Sequence, residues 1–308
     1  MDEQDNPVVK FISQVSKQIF ERTIRGQIDY DNDIKALQKY REMAQKANAP
    51  RQEANMVNYM AVLNSVSGHL TLADEQFTQL FILQQANNSL NGMVTALNNR
   101  AVFLSSLGKY EEASGFYLQA IALAEGAVDE TLVTYARTLG GKLSVGYMLP
   151  QYDDMLALFD KISGLQDRLL SQNPQEYARI MTDVNRSMAE YHLHHKDYTQ
   201  AQAFIRTGID FATGLGLTFE LADLYYTQAH IALAHGDTNG AEAHWSKAVE
   251  LLKNVPAKST VGRNYNQEAR YLEQHGYTQH GQRFAKYAYD IFASLNMDED
   301  AKLAQVLL

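Results

Sequence analysis

The sequence predicts an all-α solenoid of stacked helix pairs, and three observations carry that prediction. The stretch from Val94 to Glu125 reads as two amphipathic helices folded back on each other around Leu107-Gly108-Lys109-Tyr110. Ala96, Leu97, Ala101 and Leu104 form an apolar stripe on the first, and Ala113, Phe116, Tyr117, Ala120 and Leu123 form one on the second. That pattern then repeats along the chain at a nearly fixed period. Finally, only five prolines interrupt 308 residues, as a nearly all-helical chain requires.

The register is explicit. With turn positions at Gly68, Gly108, Pro150, Lys196, Gly236 and Gly276, the steps are 40, 42, 46, 40 and 40 residues. Seven residues before each turn stand Ala61, Ala101, Leu143, Ala189, Ala229 and Ala269, and five after stand Ala73, Ala113, Met155, Ala201, Ala241 and Gly281. Small side chains at both offsets let paired backbones approach closely. Bulkier residues such as Phe77, Tyr117 and Trp245, nine after the turn, fill the space above them.

On these residues the chain resembles tetratricopeptide-repeat proteins over nearly its whole length. The fullest matches are Ala101, Leu107-Gly108-Lys109-Tyr110, Ala113, Tyr117 and Ala120, then Ala229, Gly236-Asp237, Ala241, Trp245 and Ala248. Lys196-Asp197-Tyr198 with Ala201 is a weaker copy. The resemblance implies a right-handed superhelical solenoid. Repeats near 40 residues exceed the ~34 usual for the family. Longer repeats of this kind are similar to those of bacterial signal-transduction regulators.

Residues 1–50 read as an N-terminal helical pair, a degenerate repeat or cap. One helix begins after Asn6-Pro7 and ends near Gly26, and a second ends near Asn48-Ala49-Pro50. A DNA-reading helix-turn-helix is disfavoured by having two helices only and the acidic run Asp29 to Asp33 between them. Six pairs follow within 51–295, at 51–88, 89–126, 128–171, 174–214, 217–254 and 258–295, with an extra helical turn expected around Gln166 to Asn173. Gly140, Gly141 and Gly146 lie inside the first helix of the third pair, where each costs ~1 kcal/mol against alanine, so close packing or a groove must compensate. Residues 296–308 read as a C-terminal capping helix with Asp298 as its N-cap, or alternatively as a docking peptide.

Composition excludes several function classes. There is no cysteine, hence no disulfide, thiolate metal site or cysteine nucleophile. A net charge of -9 disfavours nucleic acid as a partner. The longest apolar runs are too short to span a membrane. The acidic first ten residues lack a signal-peptide hydrophobic region, so a cytoplasmic location is expected.

Candidate chemistry is equally sparse. Gly140-Gly141-Lys142 has Ala136 where a phosphate-binding loop needs glycine. His192, His194 and His195 on one helix do not converge on a tetrahedral site. The remaining histidines are scattered. The expectation is a protein that is not an enzyme, with no cofactor and no metal.

Function is then expected on one helical face. In tetratricopeptide arrays the first helix of each pair lines the concave groove. Ten residues before each turn are Asn58, Asn98, Gly140, Arg186, Tyr226 and Asn266. Six before are Val62, Val102, Ser144, Glu190, His230 and Arg270, and thirteen before are Asn55, Thr95, Arg137, Asp183, Asp223 and Arg263. Offsets of three and four are one helical face. From it the peptide- or protein-binding residues are taken as Asn55, Asn58, Val62, Thr95, Asn98, Val102, Arg137, Arg186, Glu190, Tyr226, His230, Arg263, Asn266 and Arg270. An asparagine amide offers both a donor and an acceptor to an extended backbone. The expected function is a non-catalytic scaffold that binds a peptide or partner-protein segment, with a homo-oligomer also possible. A peptide sensor of the pheromone-receptor type and the sensor or adaptor subunit of a larger enzyme machine are the alternatives.

Overall fold

The structure, a computed structural model, describes residues 6–149 and 152–308, and all regular structure among them is helical. The expected turn residue Pro150 and the acidic residues 2, 3 and 5 lie outside the described residues. The N-terminal helices are α1 (Pro7–Ile24) and α2 (Tyr30–Lys46). Pairs follow as α3 (Pro50–Val66) with α4 (Leu70–Ala86), α5 (Leu90–Ser106) with α6 (Tyr110–Glu125), and α7 (Val128–Met148) with α8 (Met155–Ser163). The extra helical turn is α9 (Gln166–Gln172). Then come α10 (Pro174–His194) with α11 (Tyr198–Leu215), α12 (Thr218–Ala234) with α13 (Thr238–Lys253), α14 (Lys258–Gln274) with α15 (Thr278–Ser294), and α16 (Asp298–Gln305). Within each compact unit neighbouring helices pack on each other, as α3 does on α4, α10 on α11 and α14 on α15, which makes the chain an all-α helical-repeat protein.

The rhythm is finer than the sequence register. Left-handed residues end helices at Gly68, Asn88 and Gly108, again at Lys196, Gly216 and Gly236, and at Gly276 and Asn296, each run in steps of twenty. Every described turn position of the sequence register takes that conformation. So do asparagines at the intervening turns, which tolerate it better than other non-glycine residues. Starts are capped where the residue permits: Asn6, Asp197 and Asp237 accept backbone N–H bonds from Val8, Gln200 and Gly240 at 2.9, 3.1 and 2.8 Å. At α16 the expectation is corrected. Met297 occupies the N-cap, and Asp298 is the first helical residue, opening a first turn of three acids that complements the helix dipole.

The chain divides into two compact units. One comprises residues 1–103 together with 256–308, so the two ends of the sequence fold as one body. Its core holds Ile12, Leu37, Met56 and Leu63, all fully buried. The C-terminal stretch fits against the N-terminal one at two glycines. A Cβ on Gly26 would fall 2.5 Å from the backbone of Ala257, and one on Gly68 would fall 2.9 Å from the Met297 side chain.

The second unit is residues 104–255. Ala189, Ala201, Ile205, Leu224 and Ile231 pack in its core. The small-residue positions are used as their spacing implies: Ala229, Ala241 and Ala248 are fully buried with Trp245 among them. The puzzling glycines of α7 find a reason here. A Cβ on Gly141 would stand 2.5 Å from ring carbons of Tyr117, so the bare backbone makes room for a tyrosine of the preceding helix. Gly140 is not under that constraint, since its Cβ would meet Val184 at an ordinary 3.6 Å.

Candidate functional site

In the unit of residues 104–255, the first-helix face is a ladder of charges between successive repeats. Arg137 of α7 pairs with Glu176 of α10 at 2.6 Å. Arg179 of α10 approaches Glu220 of α12 at 3.8 Å, and Arg186 pairs closely with Asp223. Glu190 and His230, both buried, meet at 2.7 Å. Offsets of about 40 residues put these partners side by side on neighbouring first helices; Glu190 and His230 hold the same register position, and Arg186 and Asp223 lie one turn apart in it. The Arg186 guanidinium also lies 5.7 Å from the centre of the Tyr147 ring.

Asp183 stands within this ladder without an ion pair or a side-chain hydrogen bond. Burial pushes its carboxyl up to about 7, and the nearby acids Glu220 and Asp223 add to that rise against the pull of Arg186 and Arg179. Tyr147 and Tyr117 are pushed well above the usual phenol range, chiefly by burial. The Arg186 side chain retains a shielded Nε with no acceptor.

The other unit places its face residues differently. Asn58 accepts a 3.0 Å hydrogen bond from the Asn99 amide, and Thr95 donates to the Asn91 carbonyl of its own helix. Asn55 and Val62 are half-buried, Asn98 is buried, and Val102 stands 52% exposed. Arg263 is not a free cation at the far end of an array. It donates to Asp300 of α16 at 2.8 Å and to the hydroxyl and carbonyl of Ser65 in α3. One turn along α14, Asn266 is 3% exposed with an unpartnered Oδ1, and the half-buried Arg270 has a shielded Nε without an acceptor.

The expected face is therefore real as a register but uneven as a surface. Tyr226, Glu190, His230, Asn98, Asn266 and Arg263 are buried, whereas Arg137 and Val102 are open to solvent. Asp183, Asp223 and Tyr147 are among the residues the sequence reading left out of the site. The first two share the thirteen-before register with Arg137, and that recurrence was the available signal. Nothing in the spacing points to Tyr147.

The three histidines of α10 and its cap make aromatic contacts. His194 stacks on Tyr152 at 3.8 Å, His192 on Phe204 at 5.2 Å, and His195 bonds the Tyr191 carbonyl through Nδ1. Among the described residues no three histidine or acidic side chains form a group that could hold a metal, and no helix is long and apolar enough to cross a membrane.

Comparison with known proteins shows the fold and no more. No protein-family model matches the chain, and no curated protein matches its sequence. Among solved structures, the chain is similar to the crystal structure of BtubC (BKLC) from P. vanneervenii, with a TM-score of 0.52 and 12% identity over 81% of this chain and 92% of that one.

Proposed function

We propose that this protein is a non-catalytic scaffold of tetratricopeptide type that binds a segment of a partner protein along the face of its first helices. One observation carries the reading: unmet hydrogen-bonding capacity recurs at the same register. Arg186 Nε and Asn266 Oδ1, both ten residues before a turn, are shielded from water and have no partner within the chain. Leaving such a group unpaired costs about 1–3 kcal/mol. A polypeptide bound on either unit supplies what that unit lacks, a carbonyl for the arginine or an N–H for the asparagine. Arg270, one turn beyond Asn266, adds a second waiting donor.

The test begins with capture of partners on the wild-type chain and on Asn266→Ala and Arg270→Ala variants. Calorimetry of the recovered segment follows, at two salt concentrations. Each variant is expected to weaken binding by about 1–2 kcal/mol, with only the Arg270 effect shrinking in salt. Folded variants that capture and bind as wild type does would overturn the reading.

A further inference from the structure

The ladder in residues 104–255 matches each of its other acids to a base. Glu176 has Arg137, Glu220 has Arg179, Asp223 has Arg186 and Glu190 has His230. Asp183 is the exception. It lies half-buried on α10, three residues before Arg186, where neither water nor a cation of the chain fully compensates its charge. A carboxylate held that way costs stability unless a positive charge arrives to pair with it.

A second deficit lies beside the first. Arg186 spends its terminal nitrogen on Asp223 and leaves Nε shielded and without an acceptor. An acceptor for Arg186 and a cation for Asp183, three residues apart on one helical face, describe a single complementary ligand.

We infer that Asp183 is the receptor for a basic side chain, a lysine or arginine carried by a polypeptide whose backbone carbonyl accepts from Arg186 Nε–H. The polypeptide nature of that ligand rests on the function proposed above. The recognition of a cation by Asp183 stands on the ladder alone. The neighbours support it: Glu220 and Asp223 add negative potential, and the Tyr147 ring beside Arg186 provides a flat wall. The chain's net charge of -9 also steers basic partners towards it.

Binding is coupled to a proton. The groups facing Asp183 are Arg179 and Arg186 on its own helix, Glu220 and Asp223 on α12, and Tyr117 on α6, while Tyr147 of α7 faces Arg186. Of these, Asp183 is the group whose charge changes near neutrality, since its carboxyl titrates at about 7. The ligand's ammonium favours the ionised carboxylate, so affinity should rise from pH 6 to pH 8.

The experiment is calorimetric titration of the full chain with hexalysine, fully acetylated hexalysine and hexaglutamate at pH 6 and pH 8. Asp183→Asn is compared with Glu111→Gln, which removes the same charge from an exposed position. Hexalysine alone is expected to bind, about ten-fold more weakly to D183N than to wild type, with E111Q near wild type and the pH dependence lost only in D183N. Equal binding by all three proteins, or equal weakening by the two variants, would show general charge attraction and overturn the assignment. A variant-free check uses the carboxyl carbon resonance of Asp183 in the wild-type chain. Saturating hexalysine should lower its titration midpoint, and an unmoved midpoint also overturns the assignment. Hexalysine binding at Asp183 without an effect of Asn266→Ala or Arg270→Ala on partner capture would sink the proposed function while leaving this site standing.

Discussion

Arg263 and Ser65 lie 198 residues apart in sequence and are joined by two hydrogen bonds, 3.0 Å to the serine hydroxyl and 2.6 Å to its carbonyl. Ser65 is in the last turn of α3, and its carbonyl also accepts from the Gly68 N–H at 3.2 Å. A guanidinium there engages the second lone pair of that carbonyl and complements the negative end of the helix dipole. Asp300, 1% exposed, holds the same guanidinium from the other side. The arginine thus ties the C-terminal helices to the N-terminal ones within a single folding unit.

Breaking that tie should be costly. Arg263→Met leaves Asp300 buried without a cation, and a loss of about 3–5 kcal/mol is expected in urea titration. Adding Asp300→Leu to the same chain should recover much of it, because the stranded charge is gone. Deleting residues 296–308 removes both Asp300 and Met297, and should lower the melting temperature of residues 1–103 as well as of the last pair. Hydrogen exchange resolved by peptide would show whether α3 and α4 loosen with α15.

Two left-handed glycines offer a controlled comparison. Gly276 and Gly68 have nearly the same φ, +81° and +83°, but Gly276 faces open space while a Cβ on Gly68 would sit 2.9 Å from Met297. Gly276→Ala should cost about 1–2 kcal/mol, the price of the left-handed backbone alone. Gly68→Ala should cost more. Met297→Ala in the same chain should remove the excess at position 68 and leave the cost at 276 unchanged; a double-mutant cycle reads the difference.

Much of this architecture was legible in the sequence, because a forty-residue recurrence of small residues and turn glycines constrains both period and packing. Gly68, Gly108, Lys196, Gly236 and Gly276 are all left-handed where the register put turns. What could not be read is pairing across long separation. Arg263, Ser65 and Asp300 carry no mutual pattern in sequence, so Arg263 read as an exposed groove cation. The ladder was half legible: Asp183 and Asp223 share a register, but only coordinates show that Asp223 is matched by Arg186 and Asp183 is not.

The Tyr117 contact supplies a third prediction. Gly141→Ala should overpack against the tyrosine ring and cost about 1–3 kcal/mol. Gly140→Ala should be nearly neutral or mildly stabilising, since the site has room and alanine favours a helix interior. If both substitutions behave alike in a denaturant titration, the close approach of Tyr117 to α7 is wrong.

Asp183 makes the stability of the chain depend on pH in an unusual direction. Its carboxyl titrates at about 7 in the folded chain, above the 3.8 of an unperturbed aspartate, with burial the main cause. Between those two values the folded state holds a proton that the unfolded state has released. The linkage slope from this group is therefore negative, and its contribution falls as pH rises from about 4 to 7. Above pH 7 the full cost of the buried carboxylate is present. Asp183→Asn should then stabilise the protein at pH 8 by about 1–3 kcal/mol, by removing a charge that has no partner, and should have little effect at pH 4. The measurement is the urea midpoint of both proteins across pH 4–8, where neutral salt should change the gap only slightly because the carboxylate is shielded. A gap that stays constant with pH, or that widens towards acid, would mean that Asp183 is ionised and satisfied in the folded chain. The unpaired-carboxylate argument, and the basic ligand inferred from it, would fall together.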